Sequence, residues 1–222
     1  MKNIIMTICA AVVMFTIVSC GESNPAIKAG EEFIDNPTPE NFNTFRESID
    51  SLSGDEKREY GIWFLENEKK LDEGRNSVHE AMKEAMKETE RRIHDRLQEQ
   101  YTCLSEHLSP DNNILSKDFT NLYDRAEEVA YQYDDISLFD VSIWINAHEY
   151  GKLTVLPFDS FTLDGDTAYV VATIEDSMLG NIHKKFEFVY EYGDWFVNDI
   201  MSIDGDYSWR SEAERFIAGY NH

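Results

Sequence analysis

His148-Glu149 begins the zinc motif H-E-x-x-H, in which two imidazoles one helical turn apart hold the ion and the glutamate serves as base. Lys152 stands where the second histidine would be, and an ammonium repels a cation, so the pair does not complete a site. Asp164-Gly165-Asp166 and Asp204-Gly205-Asp206 crowd carboxylates as calcium loops do. An EF-hand needs its glycine sixth and a bidentate glutamate twelfth, so these two are read as turns. The chain contains no G-x-x-x-x-G-K-[ST], G-x-G-x-x-G or G-x-S-x-G, which removes the usual nucleotide-binding and hydrolase chemistries. Three cysteines are too few for a disulfide framework or a cysteine-rich zinc site, and Cys103 lacks the basic surroundings that activate a thiol. No metal or other cofactor is expected.

Charge narrows the partners. The 222 residues carry 20 Lys+Arg against 43 Asp+Glu, a formal net charge of -23, and such a surface repels phosphate backbones, so no nucleic-acid partner is expected. The excess is greatest after Pro110. An anionic ligand would need a locally basic pocket there, and Lys152, Lys184, Lys185, Arg210 and Arg215 are nearly its only sources. Neutral, apolar or cationic ligands are easier to accommodate. With 42% hydrophobic and 13% aromatic residues, the chain has ample material for a core.

The elements that must position these residues follow from periodicity. A short helix is expected over residues 26–35, and Thr38-Pro39 opens a second with Phe42, Phe45, Ile49 and Leu52 on one face. Ser53 and Glu56 form a capping box for a third helix that reaches about Leu71 and buries Tyr60, Trp63 and Phe64. After Gly74, apolar residues from Val78 to Leu108 recur every three or four positions, the pattern of one long amphipathic helix; the same stripe would also suit a coiled-coil seam. Pro110 ends it, and Ser116 starts another helix bearing Phe119, Leu122, Ala126 and Val129. Then the period changes to two. Residues 152–158, 167–175 and 182–192 read as strands, Gly193-Asp194 as a hairpin turn, 195–200 as the closing strand and 211–220 as a final short helix. Helices followed by strands argue an α+β fold, with the helices on one face of an antiparallel sheet.

The N-terminus carries an address. Lys2 and the uncharged apolar run Ile4 to Val18 have the form of an export signal, too short for a membrane span. The run ends Ile17-Val18-Ser19-Cys20, which resembles the lipobox of bacterial lipoproteins. That resemblance implies cleavage after residue 19, diacylation of Cys20 with palmitate-like chains and attachment to the cell membrane or outer membrane, outside the cytoplasm. A plain secretory signal cut after Ser19 is the alternative. Residues 20–25 would form a tether.

Residues from about 75 to 200 resemble domains of unknown function that share the cone-shaped fold of nuclear transport factor two and ketosteroid isomerase. The resemblance rests on the long helix ending Leu108-Ser109-Pro110, the helix after it, the segment Trp144 to Tyr150 and the strand Trp195 to Ile200. It implies a curved antiparallel sheet packed on a long helix, and the domain is placed at residues 73–222. The helical extension of residues 26–72 falls outside the resemblance; its apolar stripes, with Phe42, Phe45, Trp63 and Phe64, need a surface to cover, so it is expected to be an appended layer with a protease-sensitive link near 72–76. Such enzymes use a carboxylate and an oxyanion donor, and Asp140, His148, Tyr150, Tyr190 and Asp199 are of those types. The chain is rich in Asp and Tyr throughout, so no catalytic residue is assigned. Trp144, His148, Tyr150 and Asp199 are expected to converge on a pocket for a neutral or cationic ligand; Trp144 as a core plug and Asp199 as a strand-end carboxylate is the competing account. The function expected is a lipid-anchored envelope module that binds a small ligand or an envelope protein; a lyase or isomerase of the cone superfamily is the alternative.

Overall fold

The computed structural model describes residues 24–106, 114–133, 142–145 and 147–220. Among them are five helices and five strands: α1 (Pro25–Asp35), α2 (Pro39–Asp50), α3 (Gly54–Ser105), α4 (Lys117–Gln132), β1 (Leu153–Val155), β2 (Ser160–Asp164), β3 (Thr167–Asp176), β4 (Gly180–Glu191), β5 (Asp194–Met201) and α5 (Trp209–Gly219). The fold is α+β, and the chain divides into two compact units between Ala85 and Met86.

In the first unit, side-chain caps start the helices. Asn24 Oδ1 accepts from the N–H of Ala26 at 3.1 Å, and Asn24 Nδ2 donates to the carbonyl of Glu56 at 2.9 Å. Asn24 and Pro25, expected in a tether, are therefore the cap and first residue of α1. Thr38 caps α2 ahead of Pro39, whose missing N–H costs nothing at a first helical position. Glu56 reaches back to the Ser53 N–H at 2.8 Å, as the capping box requires. The apolar stripes of α1, α2 and early α3 close on one another around Phe33, Phe45, Leu71 and Val78.

The break expected at Gly74 does not occur: α3 runs unbroken from Gly54 to Ser105. Gly74 is buried, and a Cβ there would lie 3.0 Å from the Phe33 ring, so this glycine is a close-approach point for α1 and not a stop. The link expected at 72–76 lies inside this continuous helix, whose backbone is held in helical hydrogen bonds, although Asp72, Glu73, Arg75 and Asn76 are exposed.

In the second unit, β1-β3-β4-β5 form an antiparallel sheet, with β2 also paired to β3, and the sheet does not close on itself. Alternation buries Ala168, Val170, Ala172 and Ile174 of β3 and Phe186 and Phe188 of β4 on one face. On β5 a bulge interrupts the ladder, because Phe188 pairs with Val197 but Glu187 pairs with Asp199. The extra residue lets Val197 and Ile200, three apart, both face the core, and it leaves Asn198 and Asp199 to the start of α5. Ile93, Leu97, Tyr101 and Leu104 of α3 join this core together with Phe119 and Ala126 of α4. Side chains of α3 also seal the edge strand: the N–H of Val155 donates to Gln98 Oε1 and that of Leu153 to Ser105 Oγ, both at 2.8 Å. Strand β2 is the element the sequence does not reveal. Its side chains are mostly exposed, so burial leaves no period-two signature. The closing hairpin turns one residue earlier than expected, at Tyr192 and Gly193, both with positive φ.

Two glycines give a paired prediction. A Cβ on Gly30 would collide with the Trp63 ring, whereas one on Gly61 meets nothing within 4 Å. Gly30→Ala should lower stability by about 1–3 kcal/mol through overpacking, and Gly61→Ala should raise it by roughly 0.5–1 kcal/mol through helix propensity. Denaturant melts of the two variants check this; the same sign for both would contradict it.

Candidate ligand-binding site

Strand β4 is longer than its neighbour β5. The ladder between them begins at Lys185, opposite Met201, so residues 180–184 of β4 pair with β3 alone. Beyond Met201 the chain turns away into α5. The turn is a compact loop: the N–H of Ser202 donates to the Tyr207 carbonyl at 2.9 Å, the N–H of Tyr207 to Ser202 Oγ at 3.1 Å, and Gly205 takes a φ of 78° that side chains rarely adopt. Where β5 is missing, a cavity of about 570 Å³ remains. Its apolar walls are Ile145, Ile182, Met201, Ile203 and Trp209; Tyr207, Lys184, His183, Ser202 and Asp204 complete the lining. That size lies within the range of small-molecule sites.

Lys184 is on the inward face of β4, in the row Ile182, Lys184, Phe186, Phe188, beside the small Ala172 of β3. It is 6% exposed. Its Nζ donates to the carbonyl of Ile143 at 3.4 Å, and burial lowers the amine from 10.5 to about 8. Burial, with Glu212 adding to it, pushes the Tyr207 phenol up to about 12, so it is a neutral hydrogen-bonding group. Asp204 is held below its ordinary value by the Ser202 hydroxyl and the N–H of Asp206. The cavity thus offers one buried ammonium, one phenol and apolar walls.

His183, on the opposite face of β4, borders the same cavity. Thr173 Oγ1 donates to Asp159 Oδ2 at 2.7 Å and lies 2.9 Å from His183 Nδ1. A hydroxyl has a single proton to give, so with that proton on Asp159, Nδ1 is assigned as the donor to Thr173.

The residues singled out in the sequence occupy other settings. Trp144 is sealed in the core: its ring stacks on Phe186 with centroids 6.4 Å apart and meets Tyr101 edge-on, and its carbonyl accepts from Tyr101 Oη at 2.8 Å. His148 is exposed, and Tyr150 is half-buried against the core. Asp199 is buried, but it anchors the start of α5, accepting from the N–H of Arg210 at 3.1 Å and from Ser208 Oγ. Burial pushes the Asp199 carboxyl up, and these donors, with the N–H of Ile200, only partly offset it. The described residues lining the cavity include none of these four. The competing account therefore holds for Trp144, and the pocket they were expected to share is replaced by the one at Lys184. Tyr190 is exposed and packs on Trp195. Cys20 and Asp140 lie outside the described residues.

Of the five bases available to an anion, only Lys184 lines the cavity. Lys152 is exposed, Lys185 lies over the Tyr169 ring, Arg210 bonds Asn198, and Arg215 pairs with Glu212. Period-two register could have singled Lys184 out, since Phe186 and Phe188 fix the inward face two and four residues on. His183 carried no such signal, because its partners Thr173 and Asp159 belong to other segments. Among the described residues no helix is long and apolar enough to cross a membrane. Comparison with protein-family models, curated proteins and solved structures found no match.

Burying an ammonium opposes folding, and the sign with pH follows. The folded pKa of about 8 lies below the unfolded 10.5, so between these values the unfolded chain binds more protons and stability rises with pH. The neutral amine's advantage is complete above pH 10.5 and lost as pH falls through about 8. Lys184→Met should therefore stabilise the fold by about 1–3 kcal/mol at pH 7, with the gain shrinking toward pH 10. Thermal melts at the two pH values check it; a destabilised variant at pH 7 would contradict it.

Proposed function

We propose that this chain is a lipid-anchored binding module of the bacterial cell envelope, which holds a small, largely apolar ligand in the cavity at Lys184. The observation that carries the binding part is the cavity itself: apolar walls with a few converging polar groups, the usual make-up of a small-molecule site. The anchoring part rests on the sequence, where Cys20 follows directly on an apolar export signal. Attachment through acyl chains needs no spanning helix. The order of long helix, second helix and antiparallel sheet supports the resemblance to the cone fold of nuclear transport factor two and ketosteroid isomerase. On that reading residues 26–72 are an added helical unit.

One observation favours the lyase or isomerase reading. The Asp159–Thr173–His183 hydrogen-bonded chain orients an imidazole that borders the cavity, the residue type most often used as a general acid or base. Binding remains the better account. The acid lining the cavity, Asp204, is engaged by its own loop, and Asp199, the carboxylate expected to serve the pocket, is engaged by α5.

The two parts are tested separately. Metabolic labelling with an alkyne fatty acid should mark the wild type and not Cys20→Ala; equal labelling would remove the anchor. The neutral apolar dye N-phenyl-1-naphthylamine should bind the folded protein, and Met201→Trp, which fills the cavity, should weaken it about tenfold. Unchanged dye binding by a folded Met201→Trp protein would contradict the cavity as the site.

A further inference from the structure

We infer that the outward stripe of early α3, formed by Arg58, Ile62, Leu65 and Lys69, docks on the phospholipid surface that holds the Cys20 anchor, with the two apolar side chains entering the boundary between headgroups and acyl chains. The inference rests on the anchoring part of the reading above and adds the face of the first unit that lies on the membrane.

The first argument is placement. Tyr60, Trp63, Phe64 and Leu71 turn one side of α3 toward the core of the first unit. Ile62 and Leu65 fall on the reverse side of the same turns and are 59% and 74% exposed. Arg58 and Lys69, both exposed, continue their row at steps of four, three and four residues. A helix face with apolar residues at its centre and long bases at its ends suits a bilayer surface, because the apolar groups enter it while the bases reach up to phosphate oxygens. The contact of Lys69 with Glu73, 3.7 Å between exposed groups, is weak and does not hold the ammonium away from a phosphate.

The second argument is reach. Cys20 stands four residues before Asn24, and that length of chain spans at most about 14 Å when fully extended. Asn24 is itself fixed to α3, since its Nδ2 donates to the Glu56 carbonyl at 2.9 Å while its Oδ1 caps α1. Ile62 and Leu65 follow Glu56 in the same helix, about 9 and 14 Å further along its axis. Acyl chains on Cys20 therefore keep this part of α3 close to the bilayer, and the tether makes a contact too weak to bind alone an intramolecular one. The third argument is the competitor. Two apolar residues one turn apart do not make a coiled-coil seam, which needs roughly three or four heptads, and two copies with a net charge of -23 each repel one another.

The test uses the full acylated chain in a Cys103→Ser background, added from outside to phosphatidylcholine vesicles, whose zero net charge does not repel an acidic protein. The fluorophore NBD is attached at Leu65→Cys or at Glu47→Cys, an exposed position on the side of α2 turned away from the core of the unit. The label at 65 should be shielded from aqueous dithionite and the label at 47 bleached, and adding Ile62→Glu should abolish the shielding at 65. If the chain floats with the vesicles and both labels bleach alike, the docking face is overturned and the anchor stands. Shielding that is lost when the protein is diluted in lipid identifies a second copy as the cover and also overturns the inference. If the chain does not float with the vesicles, the anchoring reading falls and this inference with it.

Discussion

The second unit is governed by an unequal pair of strands. The sheet is open, its inward face must be covered, and β4 outruns β5 by five residues on that face's border. Where β5 is present the face is packed: Phe186 and Phe188 share one buried cluster with Trp144, Val197 and Ile200. Where β5 ends, packing ends with it. The first inward residue beyond the reach of β5 is Lys184, and the chain continues past Met201 as the Ser202–Tyr207 loop and α5. The cavity is thus a consequence of strand length, and the buried ammonium stands at the border between packed and unpacked interior.

The polar groups around this border fall into two kinds. Asp199, Asn198 and Ser208 are satisfied within the protein. The bulge at Asn198 turns two polar side chains toward α5, where the N–H and the guanidinium of Arg210 meet them. These contacts fix where α5 begins and hence where Trp209 stands in the cavity wall. Lys184 and Tyr207 are of the other kind: burial shifts both toward their neutral forms, and both face the cavity. A structural role accounts for the first group completely. Lys184 lines the cavity while its Nζ donates to the carbonyl of Ile143.

Much of the architecture was legible in the sequence. The α+β class, the helix stripes, the caps at Thr38, Ser53 and Ser116 and the strands 167–175 and 182–192 all follow from periodicity and capping chemistry. What escaped did so for identifiable reasons. Gly74 resembles a stop, but it exists to admit the Phe33 ring, a constraint set by a residue forty-one positions away. Strand β2 is mostly exposed and shows no alternation. The site was misplaced because Trp144 and Asp199 have chemically capable side chains, while nothing local says that one plugs the core and the other caps a helix not yet formed. Lys184 was recognisable as a basic residue of a poorly basic half; that it points inward depends on counting register back from Phe186.

Lys184 is buried among the residues that line the cavity, and its protonation state reports that burial directly. Lysine ε-carbons labelled with ¹³C and titrated by NMR in the folded protein should show one resonance with a midpoint near 8, absent in Lys184→Arg. If every lysine, Lys184 included, titrates near 10.5, the amine is in water and the cavity at the end of β5 is not the site described here.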